Sequence, residues 1–176
     1  MKKVVVKAKV QNREKFEKKL AEVEMKFSPV YYQHDRVYVP RGYKRGMNLP
    51  RLVMRTEIKS VDKPAKYSLL LKRHIEDSGI DYIEETSVKD YAEMVNIILQ
   101  LGFKLQKEVS KRSQMIEISD DAVLYLDHLD NGGGLFTKLE AKLLEGDSVE
   151  LVKADLTKTL AVFGEKEIIP SAYFED

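Results

Sequence analysis

The sequence predicts an α+β fold of about eight antiparallel strands with helices packed on one face, arranged as two similar halves. Segments in which apolar and polar residues alternate dominate the chain, and most are joined by short connections, which favours antiparallel pairing. Each half runs strand, polar turn, helix and then several strands, with Phe27 and Phe103 at matching places. This repeat is longer than a solenoid unit, so we expect a duplicated unit within a single domain over residues 1–176.

The first half begins with a strand over residues 3–10, where valines and lysines alternate. Asn12 is a typical N-cap residue and predicts a helix over about 13–25. A basic loop with Gly and Pro covers residues 40–50. The remaining strands of this half are expected near 31–39, 51–58 and 66–73.

The second half repeats this order from a strand near 80–88. Asp90 and Glu93 have the spacing of a capping box and predict a helix over about 91–101 that Gly102 ends. Further strands are expected near 108–117, 122–128 and 135–143, and a last helix begins at residues 147–148 and ends at Gly164.

The composition excludes several functional classes. Thirty basic and 29 acidic residues give a net charge of +1, so no global field would attract nucleic acid. The absence of cysteine excludes disulfides, thiolate zinc sites and a cysteine nucleophile. No apolar run approaches the ~18 residues of a membrane span, and Lys7 and Lys9 interrupt a signal-like start. We therefore expect a cytoplasmic protein with neither a membrane nor a nucleic-acid partner.

Charged residues share one face of the expected strands. Arg55 lies on the face of Arg51 and Val53, and Glu140 on that of Lys138. Two arrangements fit this parity: an open sheet whose charged face meets water, or a closed barrel whose charged face lines a lumen. A lumen of lysine and arginine with few carboxylates is costly unless water, ions or a polyanion fill it, and it suits a triphosphate.

A set of polar residues on these faces matches known motifs in order, spacing and parity. They are Lys7, Gln33, Asp35, Arg55, Lys72, Lys111, Asp127 and Glu140, followed by the segment 171–175, SAYFE. Over nearly the whole chain they resemble the CYTH, or triphosphate tunnel metalloenzyme, family, which includes class IV adenylyl cyclases, thiamine triphosphatases and inorganic triphosphatases. The resemblance implies a closed eight-stranded antiparallel β-barrel, a tunnel, with helices outside and two pseudo-repeated halves.

The resemblance also implies site residues and ligands. The expected ligand is a nucleoside triphosphate or inorganic polyphosphate, acted on by cyclase-like or triphosphatase-like chemistry. Asp127 and Glu140 are expected to hold Mg²⁺ or Mn²⁺, hard cations that prefer oxygen ligands. The expected phosphate-binding residues are Lys7, Lys9, Arg55, Lys72 and Lys111.

Departures from the motifs support an alternative function. Lys3 and Val5 stand where the family has two acidic residues, and Lys138 stands where it has the first glutamate of its E-x-E motif. Val53 and Ser113 replace motif arginines. The alternative is a polyphosphate- or nucleotide-binding protein that has lost its metal ligands and turnover, and a weaker third interpretation is an interaction scaffold with an empty tunnel.

Other interpretations of the acidic residues stay open at this point. Asp127 could cap the glycine loop that follows it, and Glu140 could be a salt partner between Lys138 and Lys142. The residues that could replace the missing acidic ligands are Glu57, Glu84 and Glu85.

Overall fold

The alternating segments fold as strands of one barrel. The computed structural model describes residues 2–44, 47, 49–75, 80–130, 133–164 and 168–169. Within those ranges the elements are, in chain order, β1 (Lys2–Lys9), α1 (Arg13–Glu22), β2 (Tyr31–Pro40), β3 (Arg51–Ile58), β4 (Lys66–Ile75), β5 (Ile80–Val88), α2 (Tyr91–Gln100), β6 (Phe103–Ser119), β7 (Ala122–Leu129), β8 (Gly134–Lys142), α3 (Val149–Val162) and β9 (Ile168–Ile169). Among the described helices, none combines the length and apolar character needed to cross a membrane.

The sheet closes through its first strand. The strand order is β5-β4-β3-β2-β6-β7-β8-β1, and β1 also pairs with β5, from Lys2 opposite Tyr82 to Val4 opposite Ile80. Every pairing is antiparallel, and the short β9 lies beside Lys7 and Ala8. The closed eight-stranded barrel is therefore confirmed, and the open sheet does not occur. The orders β1-α1-β2-β3-β4 and β5-α2-β6-β7-β8 also confirm the two repeated halves.

Side-chain caps start the helices where the sequence predicts them. The side chains of Asn12 and Asp90 accept hydrogen bonds from the backbone N–H three residues later, each at 2.9 Å. Ser148 caps α3 in the same way. Helix α1 ends at residue 22, earlier than predicted, because Glu24 takes a left-handed backbone conformation with a φ of 57°.

The apolar face of the barrel points outward, beneath the helices. Under α1 and α3 the strands contribute Val4, Val6, Leu124 and Leu139, and the helices contribute Phe16, Leu20, Leu156 and Leu160. Under α2, a second cluster joins Ile98 to Tyr38, Met54 and Val88. Because side chains alternate along a strand, the intervening residues face the lumen. A smaller apolar cluster, Val37, Val53, Leu70 and Ile83, lies on that inner face.

Replacing Phe16 with alanine should lower the free energy of unfolding by about 3–5 kcal/mol. Its ring is buried, stacked on Phe27 with a centroid separation of 6.5 Å and edge-on to Phe163 at 6.2 Å, so its loss leaves a cavity between α1 and α3. Urea unfolding followed by circular dichroism measures the change. Val162→Ala, at an exposed position of α3, is the control, and equal losses in the two variants would contradict this packing.

Candidate functional site

A cavity of about 450 Å³ lies within the barrel lumen and is lined by its strands. Among the described residues, seven strands contribute to its wall, whereas β5 and β9 contribute none. Among the residues that the structure describes, the charged lining consists of Lys7, Arg51, Arg55, Lys72, Lys107, Lys111, Lys138, Asp35, Glu108 and Asp127. Seven cations thus face three carboxylates, so the cavity has a local positive charge although the chain is nearly neutral.

Arg55 is held by a bidentate pair with Asp35. The two residues lie opposite each other on β3 and β2, and Nε and Nη2 of Arg55 donate to the two carboxylate oxygens, each at 2.8 Å. Burial alone would raise the pKa of Asp35, but the hydrogen bonds and charge of Arg55, with Lys72 and Lys111, hold it well below its usual range. Both side chains are therefore charged, and the guanidinium is fixed within the wall.

Lys111 and Asp127 form a second buried pair. Lys111 Nζ donates to one oxygen of Asp127 at 2.7 Å, and Ser113 Oγ donates to the other at 2.6 Å. Burial opposes ionisation of Asp127, but Lys111 and Lys138 keep its pKa below the ordinary value. The pKa of Lys111 is also lowered, because burial and the charges of Lys138 and Arg55 outweigh the attraction of Asp127. An anion in the cavity would stabilise the charged form of Lys111.

Glu140 is enclosed by two lysines. Lys3 Nζ donates to Glu140 Oε2 at 3.0 Å, and Lys138 pairs with Oε1. Against the effect of burial, these two charges lower the pKa of Glu140, and Glu140 with Asp127 raises the pKa of Lys138. The Lys138 ammonium also lies 4.2 Å from the centroid of the Tyr125 ring. Glu140 is thus a salt partner of Lys138, as one interpretation of the sequence predicted. Its second partner is Lys3 and not Lys142, which pairs with Asp121.

The arrangement of Asp127 and Glu140 does not fit one divalent cation. On the neighbouring strands Asp127 lies opposite Phe136, and Glu140 lies opposite Val123. This separation of four residues corresponds to about 13 Å along the strands, whereas Mg²⁺ or Mn²⁺ requires oxygen ligands within roughly 2–2.6 Å. The described residues also contain no group of three or more acidic or histidine side chains that could hold a metal.

The other acidic candidates lie at separate places. Glu84 is exposed and accepts a hydrogen bond from Tyr82 at 2.7 Å. Glu57 accepts a hydrogen bond from Gln33 at 3.3 Å and pairs with Lys59. Glu85 shares the inward parity of Ile83, which belongs to the lumen-facing apolar cluster. Burial lowers the pKa of Arg55, but the charge of Asp35, and to a smaller extent that of Glu85, raises it.

The structure brings together most of the predicted phosphate-binding residues. Lys7, Arg55, Lys72 and Lys111 all line the cavity, whereas Lys9 is exposed and is not among the lining residues. Sequence reasoning missed Lys107 because the strand was expected to begin at residue 108, but β6 begins at Phe103. Lys111 and Val109 lie on the inward face of β6, and the next residue on that face is Lys107, so a strand extended towards its start would have included Lys107.

Some sequence predictions fall outside the described residues. These are the SAYFE segment at 171–175, the turn at 76–79, part of the basic loop at residues 45, 46 and 48, and residues 131–132 of the glycine loop that Asp127 could cap.

Acidification should destabilise the barrel through its buried carboxylates. Because the folded-state pKa of Asp35 is below its ordinary value, its charge contributes stability above about pH 4, and this contribution is lost as pH falls towards the folded-state pKa. Asp35→Asn should lower the unfolding free energy at neutral pH by about 3–5 kcal/mol, since it leaves Arg55 buried without its carboxylate, and should flatten the acid dependence. Urea unfolding at several pH values tests this.

The exposed Asp155→Asn is the matched control and should change neither quantity. Equal acid slopes in the wild type and Asp35→Asn would contradict the role assigned to this pair.

Comparison with known proteins identifies relatives in structure alone. No protein-family model matches the chain, and a search of curated proteins also found no match. Among solved structures, PH1819 from Pyrococcus horikoshii OT3 has a TM-score of 0.83 at 19% identity, over 98% of this chain and 96% of that one. A provisionally assigned adenylate cyclase from Vibrio parahaemolyticus has a TM-score of 0.79 at 17% identity, over 98% and 95% of the two chains.

The Hippeastrum protein HpAC1, also provisionally assigned as an adenylyl cyclase, is similar as well. It has a TM-score of 0.61 at 14% identity, over 99% of this chain and 94% of its own, and a dominant triphosphatase activity is described for it. The family resemblance seen in the sequence is thus confirmed in the fold: the chain has the barrel of these adenylate cyclase-like structures.

Proposed function

We propose that the cavity binds the triphosphate group of a nucleotide or of inorganic triphosphate. The observation that carries this proposal is the excess of seven cations over three carboxylates among the described lining residues. Phosphate oxygens accept charge-assisted hydrogen bonds from lysine and arginine, and a triphosphate supplies several such oxygens in a row. The cavity, at about 450 Å³, is also in the size range of small-molecule sites.

Three of these cations are held in place before any ligand arrives. Arg55 is positioned by Asp35, and Lys111 by Asp127. Lys138 is positioned by Glu140 and lies over the Tyr125 ring. Because these side chains are already ordered, binding a phosphate costs little additional conformational entropy. We assign the tightest phosphate contacts to this part of the wall.

Phosphoryl chemistry of the adenylyl cyclase or triphosphatase kind is the finer hypothesis for this site. The role of the chain's own residues in such a reaction is electrostatic: fixed cations such as Arg55 and Lys111 would stabilise the charge that develops on the phosphate oxygens. The triphosphatase activity described for HpAC1 supports this hypothesis by analogy of fold. Asp127 and Glu140 do not fit a shared Mg²⁺ or Mn²⁺ site, so this hypothesis assigns the stabilising charge to the cations of the chain itself.

Binding without turnover is the second candidate function, and a specific observation favours it. Glu140, one of the two carboxylates expected to hold metal, is enclosed by the ammonium groups of Lys3 and Lys138. These two charges occupy the place around the carboxylate that a divalent cation would need. In this function the lysines themselves neutralise the ligand, and the complex requires no metal.

Lys72→Gln should weaken the binding of inorganic triphosphate about tenfold or more, because a hydrogen bond to a charged group contributes roughly 1.5–3 kcal/mol. Isothermal titration at low ionic strength, where screening is weakest, measures the dissociation constant. Lys142→Gln is the matched control, since it removes the same charge from an exposed position on β8 that pairs with Asp121 outside the cavity. Equal weakening by both substitutions would indicate non-specific attraction and contradict the proposed site.

Chelation of divalent metal by EDTA should leave triphosphate binding intact. The expected dissociation constant in EDTA is within about threefold of that in untreated buffer, a difference under 1 kcal/mol, because lysine and arginine supply the neutralising charge. Phosphate and pyrophosphate release from ATP and inorganic triphosphate, measured with Mg²⁺ or Mn²⁺, should be slow. Rapid metal-dependent turnover would instead favour phosphoryl chemistry over binding alone, with Glu57, Glu84 or Glu85 as the residues to examine for metal.

A further inference from the structure

We infer that the cavity is a pocket closed at its inner end, so that it takes the terminal phosphates of a linear chain end-on and cannot be threaded. This inference rests on the proposed function, triphosphate binding, and names the ligand class more narrowly. It derives from where the cavity wall stops on five of the strands that form it.

On the strands β1 and β8, the wall stops at Lys7 and Lys138. The next inward-facing residues are Val5, which is 5% exposed, and Glu140, which is 8% exposed. Side chains beside a water-filled passage keep surface that water can reach, and these two do not. The lumen is therefore filled with protein directly beyond Lys7 and Lys138.

The same change, from a wall residue to a buried one, occurs on three further strands. Beyond Asp35 on β2 comes Gln33, beyond Lys111 on β6 comes Ser113, and beyond Lys72 on β4 comes Leu70. These next residues are 7%, 0% and 2% exposed, respectively. Five of the seven strands that form the wall thus pass from cavity wall to buried interior within one inward step, while on β3 and β7 the next residues, Glu57 and Tyr125, are partly exposed.

The floor of the pocket is fixed by ionic contacts. Glu140 joins Lys3 and Lys138, and the Lys138 ammonium packs on the ring of Tyr125. Tyr31 is also buried near this floor, and burial together with the charge of Asp127 raises its pKa above the ordinary value. Opening a passage would separate charges that are buried together, which is energetically costly.

The opening lies at the opposite end of the cavity. There the wall includes Arg51 at the start of β3, and Leu129 and Gly133 at the β7–β8 connection. Arg51 Nη2 donates to Tyr43 Oη at 3.3 Å, which places an aromatic ring beside the opening. A ligand therefore enters with its phosphate end first, and the rest of the molecule remains outside.

Stoichiometry of binding to linear polyphosphate tests the inference. The probes are two linear polyphosphates of defined but different length, both long enough for two barrels to sit side by side. End-on binding predicts the same limiting ratio for both lengths, two proteins per chain, measured by isothermal titration and light scattering. A ratio that rises in proportion to chain length would overturn the inference while leaving phosphate binding itself established.

Two further measurements sharpen the test. Cyclic trimetaphosphate has no chain end, so its affinity should be at least tenfold weaker than that of linear triphosphate; equal affinity would overturn the inference. Lys72→Gln should weaken binding to both polyphosphates without changing the number of proteins bound per chain. If the variant bound both polyphosphates with the affinity of the wild type, the binding would lie outside the pocket and the inference would be overturned. If neither triphosphate nor polyphosphate binds at all, the proposed function fails, and the inference fails with it.

Discussion

The structure depends on the pairing of charges inside a closed barrel. A cation removed from water is tolerated only when an opposite charge lies against it, so Arg55 requires Asp35, Lys111 requires Asp127, and Lys138 requires Glu140. Each carboxylate lies on the strand of its cation or on an adjacent strand, so the ion pairs between strands form only when those strands are in the correct register. A slip of one residue would turn every one of these side chains to the apolar outer face. The register that closes the barrel is thus also the register that assembles the site.

Most of the fold could be predicted from local patterns. Alternation identifies the strands, Asn12 and Asp90 mark the helix starts, and the repeat of the element order indicates the two halves. Closure could not be predicted from parity, because an open sheet gives the same alternation. It depends on the pairing of β1 with β5, between residues about 80 positions apart in the chain. The extent of β6 was also underestimated, since its first residues alternate weakly.

The candidate site was predicted less completely than the fold. Inward parity selected Lys7, Arg55, Lys72 and Lys111 correctly as neighbours of the lumen. Parity cannot say how far along the barrel two inward residues lie, and for that reason Asp127 and Glu140 were placed together although the register separates them. The ion-pair partner of Glu140 could not be predicted either, because Lys3 contacts Glu140 across the β1–β8 pair, which forms only in the folded barrel.

The position of β1 has a consequence for how the chain folds. Its main partner, β8, begins more than 120 residues later and ends at Lys142, so β1 has no long partner until most of the 176-residue chain is available. The strands from β2 to β8 can pair with earlier or nearby neighbours, but the seam between β1 and β8 can form only after β8 has been made. During synthesis the two edges beside that seam would present unpaired backbone groups, a state prone to intermolecular association. The lysines of β1 oppose such association while the seam is open, because charged side chains on an edge strand discourage pairing with other chains.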